Sequence, residues 1–492
     1  MEKIVKELKT FFQRPGVQDI FELTYAYTIE GQHFFNRSLF ASYVSCSTQT
    51  SPEELLTKTR KYLRADQSRL VHLQEQIGAC QDRRAPIFHK MLTYTQKIRS
   101  LVRWAVPFEI QKRYPDRPDL SNSDHLLSLH EVQQLDYELF GHPIINDTWE
   151  VSRSDCYLSH ALATYGDVLS PEEYACFQHV LTEIETLPAY NASLCKLALP
   201  VSLLDDDRFT CPVSREFYLQ LFTLIFSFYG LQVPVVVDER SSIYDGHDAL
   251  YFPSSEEYDS LPLGKVLELI AHEVEVHYIV LSNTDKVLYG IKGGRSLARE
   301  EGLAILHEYM LNGYALEDFD IRPNVPTLLV GELLDGTSYH EFFCVYHKLH
   351  GFIPRGVEYL LRRKRNYPFA QPGLLHKDVM YSRGMYHLRG RLLEYGAYED
   401  LFLAKVDMED MLCVAEHVHQ EQLSVLFPKL LAMRLVWYIL TGKTDTSGRI
   451  KKMKKKYRFI SDVVLEPFTS HQQQIREEIL VLISRICSLD KK

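Results

Sequence analysis

Two histidines and two acids crowd into Ala271-His-Glu-Val-Glu-Val-His277, and a pair of glutamates follows in Arg299-Glu-Glu-Gly-Leu-Ala304. Imidazole nitrogens and carboxylate oxygens are donor types that zinc accepts. His272, His277 and Glu301 would supply three ligands and leave a fourth position open for water. That is the arrangement of a catalytic zinc site rather than a structural one. The ion (one Zn2+) would polarise a carbonyl and lower the pKa of its bound water towards neutrality. Glu273, adjacent to a ligand and itself unligated, would accept the water proton as general base.

The spacing makes a structural demand. The familiar metalloprotease signature puts its two histidines four residues apart on one helix face, whereas His272 and His277 are five apart. Five steps of an α-helix carry the second ring about 140° past the first. A straight helix would therefore not aim both rings at one ion. A π-type turn, with its wider i→i+5 bond, would bring them together, and such bulges often occur at functional sites. The plain alternative is that these are core or surface residues of an apolar helix. Glu301 tells against it, lying 24 residues beyond His277, which is room for one loop back to the first helix. Gly302 removes a side chain where two helices and a metal must crowd. Glu300 and Glu301 also have a plain reading, as acids favouring a helix N-terminal dipole. Glu308, seven residues on, either supports the site from behind or is surface.

The elements that must position these groups can be read around them. Ser260 is a good N-cap with Pro262 in the first turn, and Leu263, Val266, Leu267, Ile270 and Val274 follow helical spacing. A second helix opens after Ser296 and ends near Gly313. Upstream, residues 221–237 read as a buried helix leading into a strand over 233–237, and residues 249–252 read as a second short strand. Residues 1–118 look helical, with Ser51 and Pro52 starting one helix well. A cluster of turn formers over 114–124 suggests a boundary. Residues 119–440 form the candidate metal-binding domain. Residues 441–492 hold a hinge, the basic run Lys451-Lys-Met-Lys-Lys-Lys-Tyr-Arg458 and an amphipathic helix over about 471–488. The expected class is α+β, predominantly helical, with a small sheet beside the zinc helix and a helical N-terminal unit.

HExxxH, then EEGLA, then Lys377-Asp-Val-Met-Tyr-Ser-Arg-Gly384 resembles the microtubule-associated tyrosine carboxypeptidases and their bacterial QEGLA-motif relatives. The specific motifs cover about residues 260–390. The resemblance implies a zincin-like metallopeptidase with His272, His277 and Glu301 as ligands and Glu273 as base. It further implies a carboxypeptidase that releases a C-terminal residue, tyrosine or another aromatic. Family members commonly carry a Gly and a small polar residue before the second histidine, where this chain has Glu275 and Val276. A glutamate there would intrude on the cleft, alter the bulge or point harmlessly outward. The chain also has REEGLA in place of QEGLA.

Peptide hydrolysis needs a donor for the developing oxyanion. Tyr381 is the candidate, because a phenol donates at neutral pH and the matching family segment carries a tyrosine. A carboxypeptidase must also hold a free α-carboxylate, which favours Lys377 and Arg383, with Arg295 behind them. A solvated surface charge is the plain alternative for each. By analogy, the 249–252 strand would pair with extended substrate.

Composition narrows the field. A net charge of −10 argues against general nucleic-acid binding. The nine cysteines are scattered singly, which reads as reduced thiols in a cytoplasmic protein. The N-terminus lacks the apolar h-region of a signal peptide, and no stretch reads as a membrane span. No GxGxxG, P-loop or nucleophile elbow is present. His340, Glu341, His347 and His350 read as a helix face, and Glu416–Glu421 as an exposed polar segment. The basic run at 451–458 reads as a solvated helix end, or as a grip for an acidic protein tail, anionic lipid or RNA. Three functions are compatible: a metallocarboxypeptidase, a zinc endo- or aminopeptidase on the same site, or a catalytically silent binding protein that retains the fold.

Overall fold

The computed structural model describes residues 67–97, 202–239, 249–291, 296–314, 398–444, 447–460 and 467–489, with short stretches and single positions elsewhere. The chain divides into two units, one of residues 1–197 with 320–383, the other of residues 198–319 with 384–492. In the first unit, the described residues form helices over 67–78 and 85–97. Asp82 holds the turn between them, its Oδ1 accepting from the Arg84 backbone N–H at 2.9 Å. Leu70, Leu73, Ile77, Phe88, Met91 and Leu92 are buried there.

The described part of the second unit is mostly helical with a small amount of sheet. In chain order it runs β1 (Pro212–Ser214), α1 (Arg215–Phe228), β2 (Val235–Asp238), β3 (Tyr244–Asp245), β4 (Leu250–Pro253), β5 (Ser260–Pro262) and α2 (Leu263–Leu269). A π-helix (Ile270–Tyr278) continues α2 without a break and passes into α3 (Ile279–Val287). Then follow α4 (Ser296–Leu311), α5 (Met411–Gln420), α6 (Leu431–Thr441), α7 (Ser447–Lys456) and α8 (Ser470–Leu489).

Helix α1 is the floor of this unit. Its Tyr218 and Phe222 pack on Phe252 of β4, with ring centroids 5.2 and 5.1 Å apart, and its Phe226 meets Tyr278 edge-on at 4.9 Å. One aromatic face thus supports both the sheet and the π-helix. Helix α8 covers α1 from another side, burying Ile479, Leu482, Ile483 and Ile486, and Phe468 just ahead of it meets Phe228 at 4.9 Å. The residues read as a buried helix followed by a strand are α1 and β2, separated by Gly230 in the left-handed region at φ 67°.

Two local expectations are corrected. Ser260 is not an N-cap. Its backbone belongs to the antiparallel β1–β5 pair, opposite Ser214, and the Leu263 N–H goes to the Cys211 carbonyl at 2.9 Å. The helix therefore starts at Leu263, with Pro262 at the cap position rather than in the first turn. The second correction concerns the 249–252 strand, which is the middle strand of its sheet. It pairs in parallel with β2 and antiparallel with β3, so among the described residues the edges of the sheet are those of its neighbours. β3 lies against the π-helix, which sets this sheet beside the histidines.

The basic helix α7 exposes Arg449, Lys452, Lys454, Lys455 and Lys456. Its end is tied to the end of α4, where Lys456 Nζ donates to the Gly313 carbonyl and the buried Tyr457 hydroxyl to the Tyr314 carbonyl. Glu416–Glu421, in and just beyond α5, is largely exposed, as its composition implies. Among the described residues Cys80, Cys211 and Cys413 are free thiols, and no helix is long and apolar enough to cross a membrane.

Candidate metal centre

The five-residue spacing is realised as the sequence demanded. Residues Ile270–Tyr278 form nine residues of π-helix, and the wider turn brings the two rings onto one side, with centroids 4.9 Å apart and planes at 58°. Helix α4 packs along this stretch and delivers Glu301 between them. Glu301 Oε2 lies 3.6 Å from His272 Nε2 and 3.7 Å from His277 Nε2. The three donor atoms all fall within 4.8 Å of one another. The edge of a tetrahedron around an ion with bonds of about 2.0–2.1 Å is about 3.4 Å, so this donor set fits a small divalent cation after slight contraction. His272, His277 and Glu301 are the group that could hold a metal ion among the described residues.

The ligand candidates are themselves held from behind. His272 Nδ1 is 2.8 Å from Glu308 Oε1, which places Glu308 as a support of the site rather than as surface. In the neutral form that a metal requires, the ring would donate Nδ1–H to this carboxylate and keep the Nε2 lone pair for the ion. His277 Nδ1 lies 3.7 Å from Glu300 Oε2, and Lys405 Nζ pairs with that same oxygen at 2.7 Å. Glu300 and Lys405 are both buried. Neither Glu300 nor Glu301 serves the helix dipole, since α4 begins at Ser296 and has no acid in its first turn.

A loop pinned at several points brings Lys405 to Glu300. Buried Arg299 donates Nη1 to the Leu401 carbonyl at 2.6 Å and Nη2 to the Ala404 carbonyl at 2.5 Å. Asn283 Nδ2 donates to the Phe402 carbonyl at 2.8 Å, and Thr284 Oγ1 accepts from the Lys405 N–H at 2.8 Å. The arginine of REEGLA is thus a scaffold for the lysine that neutralises its neighbour.

Charge follows from these contacts. Burial alone would raise Glu300, but Lys405, then His277 and Arg299, hold its carboxyl well below the usual range. Burial likewise opposes ionisation of Glu301, and the neighbouring His272 and His277 imidazoles override it and hold its carboxyl below the usual range. Burial would lower His272, yet Glu301 and Glu308 hold it up at about 9. With Glu300 neutralised by Lys405, the charges of Glu301 and Glu308 remain beside two imidazoles, an environment suited to a dication. On the same helix, buried His307 has its Nε2 2.5 Å from the Tyr398 hydroxyl, and burial lowers it to about 3. It is a core hydrogen bond rather than a ligand.

Glu275 does not intrude on the cleft and does not point outward. It is turned into the core with 1% of its surface exposed, where the Tyr229 hydroxyl and the Leu431 N–H each donate to Oε1 at 2.5 Å. Burial pushes its carboxyl up to about 7 against the pull of these donors. Glu273, the candidate base, is half-buried beside His272. Gly302 is buried in α4. Tyr381, Lys377, Arg383 and Arg295 lie outside the described residues, as do His340, Glu341, His347 and His350. Gly384, which closes the Lys377–Gly384 motif, is described. A Cβ built there would stand 1.6 Å from the Ala298 carbonyl oxygen, so this motif ends in direct contact with the backbone of α4.

Sequence reasoning missed Lys405, Arg299 as scaffold and Tyr229. Lys405 and Tyr229 have no motif around them and lie 104 residues after Glu301 and 43 residues before His272. Arg299 was visible only as an odd letter in a motif. Comparison with models of known protein families gives no match, and comparison with curated proteins gives none either.

Proposed function

We propose that this chain is a zinc-dependent metallocarboxypeptidase with a zincin-like catalytic unit, holding the ion with His272, His277 and Glu301. The observation that carries the proposal is the π-helix. It sets two imidazoles on one carboxylate at a spacing that an α-helix would splay apart. A bound zinc ion would supply Lewis acidity to a substrate carbonyl and to water. Glu308, from behind, fixes which nitrogen of His272 faces the ion, and Glu300 puts a charge 3.7 Å behind His277 Nδ1. Glu273 adjoins the ligand His272 and is not one of the three donors, and it is the group we assign to take a proton from water and pass it to the leaving amine. Carboxypeptidase direction, release of tyrosine or another aromatic residue, Tyr381 as oxyanion donor, and Lys377 and Arg383 as holders of the substrate carboxylate rest on the motif resemblance. The exposed lysines of α7 favour an acidic polypeptide as the approaching partner.

A diverse peptide pool, incubated with purified protein and with Glu273→Gln and read by mass spectrometry, tests this. The expected result is loss of one C-terminal residue, absent with Glu273→Gln and absent when the peptides are amidated. Internal or N-terminal cuts that need Glu273 would keep the metal chemistry and change the direction. No cleavage of any peptide by zinc-loaded protein would favour a silent binding protein. Metal analysis of the purified protein that finds iron in place of zinc would overturn the hydrolytic reading.

A further inference from the structure

We infer that Glu275 is a positioning residue for the metal centre: anchored on Tyr229 and the start of α6, its carboxylate holds residues 270–278 in the π register that converges His272 and His277. This deepens the metal-site reading above and rests on it. Glu275 stands between the two histidines in sequence and faces away from them, into the core. A carboxylate buried among apolar side chains is costly unless it is hydrogen-bonded. Here Oε1 accepts from the Tyr229 hydroxyl and the Leu431 N–H, both at 2.5 Å.

The anchor reaches two other elements, α1 and α6. Tyr229 is the C-cap of α1, and its hydroxyl accepts in turn from the Lys429 N–H at 3.1 Å. Leu431 is the first residue of α6, whose own N-cap position is Leu430, an apolar residue in the left-handed region at φ 51° with no side-chain cap. The first N–H groups of a helix need an acceptor, and anions are favoured there. Glu275 supplies it from another helix. In the same place the π-helix needs a restraint, because π turns are rare and α geometry competes with them. Relaxation to α geometry would rotate the residues after the bulge about the axis and draw the carboxylate off the Leu431 N–H. The cap of α6 is therefore made only while the histidines converge.

Zinc affinity, measured by competition with a chromophoric chelator, is compared with thermal melting of the metal-free protein for wild type, Glu275→Ala, Glu275→Gln, Tyr229→Phe and Leu480→Ala. Leu480 is buried in α8, outside the donor set and its supports, and its truncation is the control for general destabilisation. Loss of an outer support typically weakens metal binding about 10- to 100-fold, and Glu275→Ala should fall in that range. Glu275→Gln should stay within about threefold of wild type, because its amide oxygen still accepts from both donors. Leu480→Ala should lower the melting temperature and leave zinc affinity unchanged. Equal zinc affinity in Glu275→Ala and wild type overturns the inference, as does an equal loss in Leu480→Ala. If Glu275→Ala does not fold, Tyr229→Phe against Leu480→Ala decides by the same comparison. Wild-type protein that binds no zinc removes the metal reading itself, and this inference with it.

Discussion

At neutral pH the metal-free centre holds His272 as an imidazolium. Burial works against the charge, but Glu301 and Glu308 outweigh it and raise the group from 6.5 to about 9. The ion pairs it makes therefore stabilise the metal-free fold fully below pH 6.5, and that contribution is lost as pH rises through 9. A metal ligand must be neutral imidazole, so binding displaces this proton. Apparent zinc affinity should rise about tenfold per pH unit between pH 7 and 9 and flatten above. Calorimetry at pH 7.5 in buffers of different ionisation enthalpy should read about one proton released per ion bound. Binding without proton release would show that the pair with Glu301 and Glu308 does not hold the proton. Glu300 behaves differently, since Lys405 already satisfies it and it stays charged with or without a metal.

Helix α4 is crowded on both sides, and the crowding makes its own prediction. The π-helix lies along one face, and Gly384 presses on its backbone at Ala298, three residues before Glu301. Gly384→Ala would drive a methyl group into the Ala298 carbonyl, where the obstacle is backbone and cannot swing aside. We expect it to cost about 3 kcal/mol, the upper end for overpacking, measured by urea denaturation. Zinc affinity should fall with it, because moving Ala298 moves Glu301. A variant as stable as wild type would mean that this motif does not clamp α4. The π-helix sits between two ordinary helices, α2 and α3, and draws its supports from elsewhere: Phe226 of α1 under Tyr278, and α6 beyond Glu275. A nine-residue departure from α geometry persists here because packing on several sides over-determines it.

On the scale of the molecule, all three donor residues and every support identified for them fall within one unit, residues 198–319 with 384–492. The metal should then act on the stability of that unit. An ion that binds the folded state alone stabilises by about 2.7 kcal/mol at a hundredfold excess over its Kd. For a unit of this size that corresponds to a rise of roughly 5–10 °C in Tm. Differential scanning calorimetry with zinc and with chelator should show the rise, and His272→Ala with Glu301→Gln should abolish it. An equal rise in the double variant would place the binding elsewhere.

Much of the site was legible before any folding was considered. Residue type and spacing are covalent facts: two imidazoles five apart and a carboxylate 24 residues later require a π turn and a returning helix if they are to share an ion, and both are present. The strands read at 233–237 and 249–252 and the last helix were equally visible, the strands from β-branched residues and bounding turn formers, the helix from its apolar spacing. Tertiary structure decided the rest. It drew Ser260 into a strand, because the β1 ladder pairs its backbone with Ser214. It placed 250–253 in the middle of a sheet, because strands on both sides found it. It turned Glu275 inward to α6 and brought Lys405 to Glu300 from 105 residues away. Such buried partners leave no local pattern in the sequence, because what selects them is the cost of a charge removed from water, and that cost arises only when distant segments close around it.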